Sequence, residues 1–333
     1  MTLPASTPPS AGLAPVTLGA SGVTVSRLCF GTSKLFRLHS TKERQRLLHA
    51  AYDCGIRHFD TARSYGLGCA EEEVGRFARD KAGDVTIATK FGIRLNASGR
   101  WFSRAQGMAR RVVSVVPAIR KVLKRTGTPF VTARDFDVAT ARVSIETSLR
   151  SLGTERIDIV FLHEPDAASI IPDELADLLA SYREKGLLQT WGLSGPWPEI
   201  QAVASRQPSL APIMQYACDA VRRLRLADAP QTASLQYGPF SDAIETIAEW
   251  LKEPHAVARW RQEVDSPHDR STIARLLLAE AVAAPNLTPI VFSTTSVKHL
   301  GALVHAAGDP ATRDRAVRMR SWLAAQLRES TRS

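Results

Sequence analysis

The chain has 333 residues, 44% hydrophobic and 23% charged, which is enough to bury a large core in a single α/β domain. No apolar run approaches the roughly 20 residues that cross a bilayer. The start, MTLPASTPPSAGLAP, has neither the charged nor the apolar region of a secretory signal, so residues 1–14 are expected to be a disordered tail. Cys29, Cys54, Cys69 and Cys218 lie far apart with no CxxC and no His at ligand spacing. They read as reduced thiols of a cytoplasmic protein, and no metal centre is expected.

In chain order, VTLGASGVTV reads as two short strands around a Gly-Ala-Ser-Gly turn, followed by the apolar run VSRLCFG (25–31). Residues 41–54 have helical period, with Leu47, Leu48 and Ala51 on one face, Ser40 before the start and Gly55 after the end. IRHFDTA (56–62) is the next strand. The loop after it opens a helix in which Glu71, Glu72 and Glu73 are favoured by the dipole. VTIATKFG (85–92) follows, and then a long excursion, 94–136. A second helix covers Asp137 to Leu152, with Ala141, Ile145, Leu149 and Leu152 on one face. Five more runs complete the set: IDIVFLHE (157–164), LLQTWGLS (187–194), PIMQYACD (212–219), ASLQYGPF (233–240) and TPIVFST (288–294). Between the last two, residues 241–287 read as two helical pieces around a polar, proline-punctuated middle from Glu253 to Arg270.

Eight strand candidates alternating with helices predict a (β/α)8 TIM barrel over residues 15–325, with an N-terminal β-hairpin and long loops after strands 3 and 7. Residues 326–333 are expected to be a C-terminal tail. An open doubly wound sheet is disfavoured. Its dinucleotide fingerprint is missing: the nearest match, Gly66 to Glu71, follows the second strand and ends on Glu.

The net charge of +10 belongs to one place. From Arg94 to Arg134 there are ten basic residues and no acidic one. The segment reads most simply as a solvated helix around Val112, Val113, Ile119 and Leu123. The alternatives are an electrostatic funnel for an anionic substrate, or docking on lipid. Nucleic acid is disfavoured, because no binding motif accompanies the charge.

Four proton-handling groups sit at the ends of separate strand candidates: Asp60, Tyr65, Lys90 and His163. A tyrosine hydroxyl, with an ordinary pKa near 10, is a poor acid at neutrality; an adjacent ammonium favours its phenolate, and a carboxylate holds that ammonium in place. A neutral imidazole donates to a carbonyl oxygen from the other side. The set polarises a C=O and delivers a proton, or runs the reverse on an alcohol. With no paired nucleophile and no metal cluster in the sequence, hydride from a nicotinamide is the natural partner reaction. Singly, each residue has a plainer reading: Asp60 a turn cap, Tyr65 and Lys90 surface groups, His163 a satisfied core histidine.

VSRLCFGTSKL, FDTARSYGLGCAEEEVG, TKFG, SLRSLGTERIDIVFLHEPD and GLLQTWGLSG together resemble the aldo-keto reductase superfamily over roughly residues 15 to 305. The resemblance implies a (β/α)8 barrel that binds NADP(H), with NAD(H) as the alternative. It makes Tyr65 the general acid, tuned by Lys90 with Asp60, and His163 the group that orients the carbonyl. It places Gly31 and Thr32 near the nicotinamide ribose, counts Asp60 among the cofactor-binding residues, and puts Ser194 and Gln215 at the carboxamide and Tyr237 stacked on the ring. Gly238 and Phe240 fall in the pyrophosphate loop, and Ser293, Thr294 and His299 at the 2′-phosphate. The chain departs from the family at Gly195, where Asn is usual, and at Ala302 and Leu303, in place of the adenine-side Glu and Asn. No arginine serves the 2′-phosphate; Lys298 is the nearest substitute.

The expected activity is hydride transfer between NAD(P)(H) and a small aldehyde, ketone or sugar, anionic under the funnel reading of the basic segment. A catalytically weak barrel acting as a cofactor-sensing binding or regulatory module is the alternative. Oligomeric state is not legible.

Overall fold

The computed structural model of the protein describes residues 13–81, 83–95, 131–225, 233–284 and 288–330. Residues 1–12 of the expected tail and the expected basic helix lie outside the described residues.

Strands β1 (Val16–Thr17) and β2 (Thr24–Val25) form the antiparallel hairpin, with Gly22 in the left-handed region at φ 71° in the turn. Then come β3 (Leu28–Gly31), β4 (His58–Asp60) and β5 (Thr86–Phe91). Strands β6 (Ile93–Leu95) and β7 (Val131–Arg134) pair antiparallel, so the long segment after β5 leaves and returns on one two-stranded ladder. The series ends with β8 (Ile157–His163), β9 (Leu188–Gly195), β10 (Ile213–Ala217), β11 (Ser234–Tyr237) and β12 (Ile290–Phe292). Hydrogen bonding runs β3-β4-β5-β8-β9-β10-β11-β12 and returns to β3, a closed eight-stranded barrel. Each expected run supplies one barrel strand, and all seven residues of β8 are buried, as barrel strands covered on both faces require.

The chain divides into two compact units. The first comprises 31–49 and 59–214. Helix α1 (Thr41–Asp53) begins at a capping box: Ser40 N–H and Oγ both donate to Glu43 Oε2 at 2.9 Å, and Glu43 N–H donates back to Ser40 Oγ. In α2 (Cys69–Ala78), Ala70, Val74 and Phe77 face the interior, and the Phe77 ring lies 4.6 Å from that of Phe59. Helix α3 (Val138–Leu152) starts where the Asp137 side chain accepts from Ala139 N–H, and stops at Gly153, φ 63°. Ala141, Ile145 and Leu152 are buried as the period predicts, while Leu149 is half-buried. Helices α4 (Glu174–Glu184) and α5 (Trp197–Arg206) complete this unit.

The second unit comprises 1–30, 50–58 and 215–333. Its helices are α6 (Ala220–Arg225), α7 (Ala243–Trp250), α8 (Pro254–Glu263), α9 (Arg270–Ala283), α10 (Val297–Gly308) and α11 (Pro310–Ser330). Two sequence expectations are corrected here. The polar middle from Glu253 to Arg270 contains a helix, α8. Pro254 begins it, because a proline at the first helical position loses no intrahelical bond. Ala256 and Trp260 then give it a buried face, with Trp260 stacked edge-on to Trp322 at 5.0 Å. The stretch expected as a tail continues α11 through Ser330, with Gln326 buried, because Trp322 and Leu323 anchor the helix one turn earlier.

Helices α2 and α3 meet at Gly75, where a Cβ would stand 2.2 Å from the Leu152 carbonyl oxygen. Gly75→Ala is expected to push the helices apart and cost about 1–3 kcal/mol. A urea-unfolding midpoint equal to wild type would contradict this contact.

Candidate active site

All four proton-handling residues fall in the first unit, and the structure brings them together. Asp60 ends β4, Lys90 is the fifth residue of β5, and His163 ends β8. These are C-terminal strand ends, where barrels carry their chemistry. Tyr65 opens a short 3₁₀ turn (Tyr65–Gly68) just beyond β4.

The loop from Thr61 to Tyr65 prolongs the β4–β5 pairing. Thr61 N–H donates to Ala88 O at 2.8 Å and Arg63 N–H to Lys90 O at 3.3 Å, before Tyr65 N–H turns back to Ala62 O. Lys90 Nζ donates to Asp60 Oδ1 at 2.5 Å and to Thr61 O at 2.9 Å. Nζ lies 5.3 Å from the centre of the Tyr65 ring. The His163 ring stands edge-on to Tyr65, 5.8 Å between centres.

Burial pulls the Lys90 ammonium below the ordinary lysine range, and the Asp60 carboxylate opposes that pull. Burial also lowers His163 to about 3, helped by the charges of Lys90 and Arg134, so its imidazole is neutral at working pH.

The cofactor residues expected in this unit take defined places. Gly31 ends β3. Thr32 is fully buried, with its N–H and its hydroxyl both donating to Asp60 O. It therefore fixes the backbone of Asp60. Ser194 sits beside His163 in the parallel β8–β9 register, and its carbonyl accepts from Glu164 N–H at 2.6 Å. Gly195, the departure from the family pattern, has a packing reason: a Cβ there would come within 3.2 Å of Glu164 Cα and 3.0 Å of Ile200 Cγ2. Glu164 itself holds φ at 52°, rare for a residue with a side chain.

In the second unit, Gln215 is buried in mid-β10 and Tyr237 ends β11. Gly238 follows at φ 73°, and a Cβ there would meet Ser241 Oγ at 2.5 Å. Phe240 packs edge-on to Phe292, 6.4 Å between ring centres. Ser293 and Thr294 leave β12 half-buried, and Thr294 Oγ1 accepts from Ser296 N–H. The cap of α10 is Ser296, which accepts from His299 N–H; His299 is exposed in the first turn.

Sequence reasoning missed several groups that shape the site. Glu71 is wholly buried and pairs with Arg63, and Thr89 Oγ1 donates to it. Glu73 is buried too, holding Arg44, whose guanidinium covers the Phe36 ring at 4.6 Å. Phe36 in turn lies against Gly66, where a Cβ would meet the ring at 2.3 Å. A legible signal existed: Glu71 shares a helical face with Val74 and Gly75, at i+3 and i+4, the side that packs inward. Arg134 pairs with Glu164 and Asp166 next to His163. It is the one basic residue of that charged segment at this site that lies among the described residues and bears on His163.

The aldo/keto reductase family model matches residues 27–225, and the chain belongs to that family. A D-threo-aldose 1-dehydrogenase from a Pseudomonas species is 31% identical over 206 residues, 59% of this chain and 57% of that protein. The chain thus spans a little over half the length of this curated relative. An aldo-keto reductase from Bacillus halodurans, solved in its holo form, is 19% identical with a TM-score of 0.66 over 92% of this chain and 96% of its own. One from Klebsiella pneumoniae, solved with NADPH, is 18% identical with a TM-score of 0.59 over 89% and 90%. These two share the fold.

A buried neutral histidine has a thermodynamic consequence. The unfolded chain protonates His163 near 6.5 and the folded chain only near 3, so unfolding takes up a proton between those values and stability falls as pH drops through that window. Relative to pH 7, His163 is expected to withdraw up to about 2 kcal/mol at pH 5. Urea unfolding of wild type and His163→Gln at both pH values checks this: the variant should lose less on acidification.

Proposed function

We propose that the chain is an NADP(H)-dependent oxidoreductase that interconverts a carbonyl and an alcohol, with Tyr65 carrying the proton. The observation that supports this most is the position of the Tyr65 ring, within 5.3 Å of the Lys90 ammonium and 5.8 Å of the His163 ring. A bound nicotinamide supplies or accepts the hydride.

The chain's own groups handle the oxygen. As negative charge develops there, the Tyr65 hydroxyl delivers its proton, and the ammonium of Lys90 favours the phenolate left behind. Asp60 and Thr61 O fix that ammonium, so it points the same way before and after the reaction. His163, neutral because of its burial, donates an imidazole N–H to the oxygen without adding a second positive charge. In the oxidative direction the same phenolate removes the alcohol proton.

For the cofactor, Ser194 and Gln215 are suited to the carboxamide and Tyr237 to stacking on the ring. Gly238 is the observation that favours a close approach: its left-handed backbone and crowded Cβ position leave the main chain bare, as a phosphate loop requires. The first turn of α10, bearing Lys298 and His299, offers amide groups and basic side chains to a 2′-phosphate. The similarity to a D-threo-aldose 1-dehydrogenase makes aldoses the first substrates to try, beside simple aldehydes and ketones.

Tyr65→Phe is expected to abolish turnover, falling at least about 100-fold, while NADPH still quenches tryptophan fluorescence with near wild-type affinity. Normal turnover by this variant would remove Tyr65 from the mechanism. Absence of binding by both NADPH and NADH to wild type would overturn the oxidoreductase reading.

A further inference from the structure

The loop that carries Tyr65 is held by a second set of bonds with no direct part in carbonyl chemistry. At its centre is Glu71, 0% exposed. Its Oε2 accepts from Arg63 Nη1 at 3.0 Å and its Oε1 from Thr89 Oγ1 at 2.6 Å. Arg63 lies two residues before Tyr65, and Thr89 immediately before Lys90. Side chains alternate along a strand, so Glu71 grips β5 from the face opposite Lys90. Arg63 is held a second time, through its backbone N–H to Lys90 O.

We propose that Glu71 is a positioning residue which, through Arg63 and Thr89, sets the separation of the Tyr65 hydroxyl from the Lys90 ammonium. The inference rests on Tyr65 being the proton donor. Both carboxylate oxygens are committed to donors on the two elements that must stay in register, and the bond to Arg63 is charge-assisted, with its carboxylate end buried. Glu72, in the same helical turn, has an equal claim on the dipole but is exposed, so a dipole role and a positioning role are separable by experiment. Lys90 from β5 and His163 from β8 lie against the Tyr65 ring, with Asp60 from β4 behind Lys90.

The test compares Glu71→Gln, Arg63→Ala, the double variant and Glu72→Gln. Three quantities are read: kcat, NADPH affinity, and the titration of Tyr65 by NMR of tyrosine labelled at Cζ. The chain has five tyrosines, and Tyr65→Phe assigns the signal. Glu71→Gln should lower kcat roughly 10- to 100-fold, the scale of a ~1 Å misplacement. NADPH affinity should hold, and the Tyr65 midpoint should move to higher pH as the ammonium recedes. Arg63→Ala should do the same, the double variant no more, and Glu72→Gln nothing.

If wild type turns over and the Tyr65 titration is the same in Glu71→Gln, the positioning role is overturned and the reductase reading stands. If no carbonyl is reduced yet the titration shifts in Glu71→Gln and not in Glu72→Gln, the positioning role stands and the reductase reading falls. Should Glu71→Gln fail to fold, Arg63→Ala decides by the same readouts, since its side chain is 27% exposed and can be lost to water.

Discussion

The site depends on one costly placement, an ammonium group buried to 2% exposure at Lys90. A charge in that position is held only if a partner of opposite sign and further acceptors surround it. Asp60 Oδ1 and Thr61 O meet that demand, and both come from the end of the neighbouring strand. The β4–β5 register is therefore tied to electrostatics as well as to packing. Once Thr61 is in place, the chain must follow β5 for two more residues and then turn, and the turn presents Tyr65. The tyrosine's position follows from the lysine's need for company.

Much of this was legible in the sequence because strand and helix periods are local signals. The run IDIVFLHE read as a strand, and its last residues carried His163 to the strand end. The helix from Asp137 to Leu152 declared itself through its apolar spacing. What escaped the reading was pairwise. Glu71 and Glu73 look alike to a helix dipole, but the fold gives them separate partners that are distant in sequence. Arg44 reaching over Phe36, and Phe36 reaching Gly66, are likewise contacts that no spacing announces. The segment from Glu253 to Arg270 was misjudged for another reason. Pro254 lies at a helix start, where it helps, and the buried face is carried by few residues, Ala256, Trp260 and Val264, of which the tryptophan contributes the most surface.

Two electrostatic environments sit close together at the mouth of the first unit. Lys90 keeps a carboxylate, whereas His163 is surrounded by burial and like charge and remains neutral. Arg134 adds to the second effect while its own charge is met by Glu164 and Asp166. One residue of the basic segment thus acts on the histidine at long range without competing for the oxygen that Tyr65 and His163 address.

Glu164 and Gly195 carry a further implication, for what the end of β9 tolerates. A Cβ at 195 would stand 3.2 Å from Glu164 Cα and 3.0 Å from Ile200 Cγ2. A larger residue there would have to shift either the backbone that follows His163 or the helix that carries Ile200 by a few tenths of an ångström. The glycine is then less a lost contact than a spacer: the bare position at 195 lets the turn out of β8 lie close against the end of β9.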